Sequence, residues 1–231
     1  MAYTRAQVAT LIRQRCDIEN TTAQVDSEIN NHINDAAAYV HDFLIGTLGE
    51  RYAVAVDGFP TIAGAEQYSL TSFAGDFYRL LSMRLEIDDE SFPLESFSEL
   101  DTVLRLSGQP WGSGYLPRYR VQQDIDGIYK VSFDPPPDAV HTIGFRYHTT
   151  APTYSSDAAV VAIPNVDLLI TEACIRVKMK EERDASLFLN ERAAIQKRIE
   201  DWVGSIDNGN VRQTLIIPRN RRAAARRGRL F

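Results

Sequence analysis

The chain has few cysteines and no long hydrophobic run. Cys16 and Cys174 are too few for a disulfide framework and lie in helical patterns, which predicts buried reduced thiols. No apolar run approaches the ~20 residues that a membrane-spanning helix needs. The first residues also lack the apolar core and small-residue cleavage site of a secretory signal. We therefore expect synthesis in a reducing cytoplasm and no membrane partner.

Motifs of catalysis and cofactor binding are also missing. The sequence contains no phosphate-binding loop of the G-x-x-x-x-G-K-[ST] type, no G-x-G-x-x-G after a strand and no G-x-S-x-G elbow. His32 and His41 lie nine residues apart on one predicted helix, and His141 and His148 lie seven apart on one predicted strand. Both spacings send the two imidazoles to opposite faces. The acidic run 88–90 fits a turn. Together these observations predict no metal site, no cofactor and no enzymatic activity.

What the chain does have is a strong separation of charge. The net charge is −6, yet the segment from Arg212 to Phe231 holds seven arginines and no acidic residue. Subtracting these seven positive charges leaves −13 on the first 211 residues. The protein therefore has an acidic body and a cationic end, a segregation that mixed solvated surfaces do not readily produce.

Helical periodicity occurs at both ends of the chain. Thr4 and Gln7 have capping-box spacing, Asp26 is a candidate N-cap, and Asp184 can cap the last helix. The periodicity predicts four helices, two at each end of the chain. Their inner faces, in chain order, are Val8, Leu11, Ile12 and Cys16; Ile29, Ile33, Ala36, Ala37, Val40 and Leu44; Val166, Leu169, Ile170, Ala173, Cys174 and Val177; and Phe188, Ile195, Ile199, Trp202 and Val203. Glycines 46 and 49 are expected to end the second helix, and Gly204 the last.

Between the helix pairs the period changes from 3.6 to 2. The clearest alternation is in "LLSMRLEI", "IYKVSF" and "TIGFRYH", and shorter runs bring the count to about seven strands, with one short helix at 97–106. We expect an α+β protein: a four-helix bundle built from the N- and C-terminal helix pairs, an inserted antiparallel β domain, and an extended arm. The predicted segments are 1–50 and 162–204 for the bundle, 51–161 for the β domain, and 205–231 for the basic arm, joined through "GSIDNGN".

The arm has features of a docking segment. Apolar residues flank its arginines, and a freely solvated tail would gain nothing from them. The absence of lysine favours bidentate contacts to carboxylate or phosphate groups. The candidate partner-binding residues are Leu215, Ile216, Ile217, Arg219, Arg221, Arg222, Arg226, Arg227, Arg229, Leu230 and Phe231. The partner could be nucleic acid or a protein surface; the acidic body and the lack of aromatics among the arginines favour protein.

Four stretches in order resemble the head-to-tail adaptor proteins of tailed bacteriophages, also called connector or head-completion proteins, of the tail accessory factor type. They are "TRAQVATLIRQRCDIENT…VDSEINNHINDAAAYVHDFLIG", "FYRLLSMRLEID", "PRYRVQ…IYKVSFDPPPDAVHTIGFRYHTTAP" and "IPNVDLLITEACIRVKMKEERDASLFLNERAAIQKRIEDWV". Together they span most of residues 4–203.

The resemblance implies a structural virion protein of the neck. Such proteins form an oligomeric ring, commonly of twelve subunits, beneath the portal protein and line the channel through which DNA passes during ejection. The resemblance implies that the C-terminal arm docks on the portal and that the β domain contacts the next tail component (hub, nozzle or stopper). Two other functions stay open: a packaging accessory protein that binds nucleic acid through its arginine-rich tail, and a cell-wall hydrolase.

Overall fold

The computed structural model describes residues 3–18, 26–87, 90–97 and 117–214, with the backbone alone over 207–214. Helices occupy both ends of this chain, and strands occupy its middle. The elements in chain order are α1 (Arg5–Cys16), α2 (Asp26–Leu48), a short 3₁₀ turn (Gly49–Arg51), β1 (Val54–Pro60), β2 (Gln67–Ser69), α3 (Leu70–Phe73), β3 (Phe77–Ile87), β4 (Glu90–Pro93), β5 (Arg118–Gln123), β6 (Tyr129–Asp134), β7 (Thr142–Thr149), α4 (Val166–Lys180) and α5 (Ser186–Thr214). The mixed α+β class is confirmed.

The chain divides into a helical unit, residues 1–47 and 152–231, and a β unit, residues 48–151. Residues 152–161, which the sequence grouped with the β region, belong to the helical unit. Their backbone pairs with the start of the chain: Arg5 N donates to Ala159 O at 2.9 Å and Val161 N donates to Tyr3 O at 2.8 Å. Backbone pairing between residues so far apart in the chain leaves no local periodicity, so the sequence pattern did not indicate it.

The first two helices begin close to their predicted residues. The capping box of α1 is present, because Gln7 N donates to Thr4 Oγ1 and Thr4 N donates to Gln7 Oε1 at 2.9 Å. Asp26 is the first helical residue of α2 rather than its N-cap. Gly46 does not end α2, which continues to Leu48 and stops where Gly49 takes the left-handed φ of +54°.

Helix α4 is buried on almost every side, whereas the sequence predicted a single apolar face. Its buried residues are Leu168, Leu169, Ile170, Thr171, Glu172, Ala173, Cys174, Ile175 and Val177. Val166, predicted on the inner face, is only half-buried. A helix surrounded in this way is the centre of its unit, and it forces the polar Thr171 and Glu172 to find partners inside the protein.

Helix α5 departs most from the sequence-based prediction. Asp184 does support its start: Ser186 N donates to Asp184 Oδ1 at 2.8 Å, and this hydrogen bond lowers the pKa of the Asp184 carboxyl. However, Gly204 does not stop the helix, which runs on through the predicted joint at 204–210 and ten residues into the predicted arm, to Thr214. Trp202, predicted to face inward, is 57% exposed.

The β unit contains two antiparallel sheets, with strand orders β1-β7-β3-β4 and β2-β6-β5. Each of the seven predicted runs matches one of these strands. The inward-facing residues make one core: Phe59, Tyr68, Leu70, Ala74, Phe77, Met83, Leu85, Leu94, Tyr119, Val131, Phe133, Ile143, Phe145 and Tyr147. Alternating residues of paired strands supply this core, which is why period-2 patterns identified the strands. The four-residue α3 was not predicted, and the short helix predicted at 97–106 lies almost wholly outside the described residues.

Candidate docking surfaces

The greater part of the predicted arm, residues 215–231, lies outside the described residues. Every one of its candidate partner-binding side chains, from Leu215 to Phe231, follows the last described residue, Thr214. The structure does describe α5, the helix that precedes residues 215–231 in the chain, and the exposed surfaces of the two units.

A buried carboxylate ties α5 to α4. Glu172 of α4 has a side chain only 5% exposed, and its Oε2 accepts a hydrogen bond from Arg192 Nη1 of α5 at 2.8 Å. Its other oxygen, Oε1, accepts from Arg176 Nε, one turn along α4, at 3.2 Å. Two charge-assisted hydrogen bonds thus satisfy a carboxylate that could not be buried alone.

Contacts to α2 and α1 also fix the position of α5. Gln196 Nε2 donates to the hydroxyl of Tyr39 at 3.1 Å, and the Arg192 guanidinium lies over the Tyr39 ring at 5.4 Å from its centroid. Toward α1, Arg15 pairs with Glu191 at 3.1 Å. Helix α5 is therefore held by polar contacts on both sides of its buried apolar stripe.

One flank of α5 exposes large apolar side chains. Leu187 is 73% exposed and Trp202 is 57% exposed. With about 100° per residue, Trp202 lies roughly 65° from the mean direction of Phe188, Ile199 and Val203, the buried residues of α5. An apolar residue at that angle can pack or be exposed, and the helical period alone does not say which.

The β unit has an exposed apolar end of its own. Ile62 is 66% exposed and Val140 is 72% exposed. Thr61 holds their two segments together: its N donates to His141 O at 2.8 Å, and its Oγ1 donates to Ala139 O at 3.0 Å. This end of the strands is opposite to the end where the chain enters β1 and leaves β7, since Val54 pairs with His148 and Pro60 with Thr142.

The two histidines of the β unit have separate local partners. His141 pairs with Asp138 at 2.9 Å, and His148 Nδ1 lies 3.0 Å from the carbonyl oxygen of Tyr52. Burial lowers the pKa of His32. Among the described residues no group of three or more His, Cys, Asp or Glu side chains could hold a metal ion, and Asp88 and Asp89 of the acidic run lie outside them.

The two cysteines meet in the core of the helical unit. Cys16 and Cys174 are both free thiols with 0% exposure, and Cys16 Sγ lies 3.9 Å from the carbonyl oxygen of Cys174. The predicted burial is confirmed. A hydrogen bond between the thiols lowers the pKa of Cys16 and raises the pKa of Cys174. Burial keeps both thiols away from solvent.

No protein-family model matches this chain, and no curated protein matches it at a significant level. Within the described part of the chain, none of the helices combines the length and the hydrophobicity that crossing a bilayer requires.

Proposed function

We propose that this protein is a head-to-tail adaptor of a tailed bacteriophage. In this proposal α1, α2, α4 and α5 form a four-helix bundle, and copies of the chain form a ring beneath the portal in the virion neck. The C-terminal arm docks on the portal, the β unit contacts the next tail component, and genomic DNA passes through the ring.

The observation that carries the proposal is the separation of charge. Seven arginines follow position 211, while the preceding residues carry a net −13. An acidic ring repels the phosphates of a passing duplex and does not retain it. A cationic, apolar-flanked arm has the opposite character and suits a groove with acidic and apolar groups on a neighbouring protein.

The anchoring of α5 supports a role for the arm as a docking device. The arm continues directly from a helix that Glu172, Tyr39 and Arg15 hold in place through α4, α2 and α1. A helix fixed on several sides limits the directions from which the arm leaves the body, which lowers the conformational entropy lost on docking.

The β unit supports a second contact, made with the tail side. Ile62 and Val140 expose apolar side chains on two neighbouring segments that the Thr61 hydrogen bonds hold together. Exposed apolar groups on a rigid scaffold are a common feature of protein interaction sites. We assign this end to the next tail component.

Portal binding by matched variants tests the proposal. The full chain is compared with a chain truncated after Thr214, which keeps all of α5, and with a variant whose six arm arginines after Thr214 are replaced by lysine. We expect the truncated chain to fold but to lose binding to the portal encoded by the same genome, and the lysine variant to bind at least tenfold more weakly. Undiminished portal binding by the truncated chain would remove the arm from the proposal.

The main alternative is a packaging accessory protein that binds nucleic acid through the arginines. Seven phosphate contacts would give a slope of about −6 for log affinity against log salt concentration. A duplex titration at two salt concentrations separates the two functions. Submicromolar binding with that slope would favour the alternative, and weak binding would favour the adaptor.

A further inference from the structure

The exposed flank of α5 has the composition of a protein contact. It consists of Leu187, Ala194, Arg198, Trp202 and Ser205, all exposed and within about 80° of one another around the helix. Glu191 lies among them and is paired with Arg15 of α1 at 3.1 Å, which leaves Arg198 as the charge that the flank can offer to a partner. Tryptophan and arginine are the residue types most enriched among the energetically dominant residues of interfaces. Trp202 presents more than half of its surface, 57%, to solvent.

Helix α2 exposes a complementary strip. Its exposed residues after the first turn are Asn31, Asp35, Ala38, Asp42 and Gly46, which include two acidic side chains and no basic one. A Cβ on Gly46 would meet nothing within 4 Å, so no described neighbour requires glycine at this helical position. Glycine there costs about 0.5–1 kcal/mol relative to alanine. Close approach by another molecule would explain its presence.

The flank and the strip match in length and differ in charge. Leu187 to Trp202 and Asn31 to Gly46 are both separations of 15 residues, or about 22 Å of helix. Arg198 is exposed on the flank, and Asp35 and Asp42 are exposed on the strip. Asp35 lies 3.6 Å from Arg176 of its own chain and still has 61% of its side chain exposed. The small residues Ala38 and Gly46 leave room beside those carboxylates for a large side chain such as Trp202.

The two surfaces lie on different sides of the helical unit. On α5, Gln196, which bonds to Tyr39 of α2, is about 120° from Trp202 around the helix. The strip on α2 therefore lies beyond one side of α5 and the flank lies on the other. When two complementary surfaces face apart in this way, each copy can offer one surface to each of two neighbours.

We propose that the α5 flank of one copy docks on the α2 strip of the next copy, with Trp202 beside Ala38 and Gly46 and with Arg198 against the carboxylates of Asp35 and Asp42. The contact joins two different surfaces, so successive copies continue it into the ring of the proposed function, on which this inference rests.

Sedimentation velocity of the full chain over a range of concentrations tests the contact. We expect the wild-type chain to self-associate, and Trp202→Glu or Ala38→Arg to weaken association at least tenfold while the chain stays folded by circular dichroism, since both residues are exposed. Glu200→Arg is the matched control, because Glu200 is exposed about 160° from Trp202 around α5.

Mixing the two defective variants gives the sharpest result. Trp202→Glu retains an intact α2 strip and Ala38→Arg retains an intact α5 flank, so an equimolar mixture should form dimers and nothing larger. The inference is overturned if the wild type stays monomeric up to millimolar concentration, if Trp202→Glu associates like the wild type, or if the mixture stays monomeric. Portal binding is measured separately. If the wild-type chain self-associates through this subunit contact but does not bind the portal, the proposed function alone is overturned.

Discussion

Replacing Glu172 by alanine is expected to destabilise the helical unit and to loosen α5. The carboxylate is 5% exposed and accepts hydrogen bonds from Arg192 at 2.8 Å and from Arg176 at 3.2 Å. Its removal leaves the two guanidinium groups without the negative charge that they both contact. Both keep some solvent access, with side chains 26% and 33% exposed.

The expected loss follows from these contacts. Breaking a fully buried ion pair by removing one partner costs about 3–5 kcal/mol. The partial exposure of the two arginines lowers that figure, and each keeps a second contact: Arg192 lies over the Tyr39 ring, and Arg176 is 3.6 Å from Asp35. We therefore expect the free energy of unfolding to fall by about 2–4 kcal/mol. Glu172→Gln, which keeps the shape and one acceptor, should lose less.

Urea unfolding followed by circular dichroism at 222 nm measures this change, because the long helices all lie in the helical unit. Glu200→Ala is the control, since it removes an exposed carboxylate from the same helix. A loss for Glu172→Ala no larger than that of the control would refute the argument. Replacing Glu172, Arg176 and Arg192 together by apolar residues of similar size should recover much of the stability.

Three further changes have clear expected outcomes. Burial raises the pKa of Tyr147, whose hydroxyl donates to Asp76 at 2.9 Å, from 10 to about 12. The unfolded chain then loses that proton first, so stability should fall between pH 10 and 12, and Tyr147→Phe should remove this component of alkaline urea unfolding. Gly46→Ala should raise stability by about 0.5–1 kcal/mol, measured by the same unfolding. A thiol reagent should modify Cys16 and Cys174 only after denaturation.

The elements that the sequence predicted well are those with local causes. The capping box of α1 depends on side chains three residues apart, and the strands depend on alternation within six to eleven residues. Such patterns are complete within a short window of sequence. The end of α5 is different, because Gly204 marks a helix stop only when packing does not support continuation. Val203 is buried and Ile206 half-buried, and packing outweighs the ~1 kcal/mol cost of a helical glycine.

The features that position the candidate surfaces could not be predicted in this way. Glu172 carries no sign of burial in its own helix, since its partner Arg192 lies 20 residues away on another helix. The meeting of Cys16 with Cys174 joins positions 158 residues apart. Trp202 lies at the edge of the buried stripe, where an angle of a few tens of degrees decides between core and surface. Each of these depends on how the helices pack rather than on their periods.

A reconstruction of the neck of assembled particles tests the central claim most directly. We expect a ring of this chain under the portal, with residues 215–231 of each copy ordered against a portal groove and their arginines beside acidic groups. A ring whose last seventeen residues have no ordered density, while the body is well defined, would contradict it.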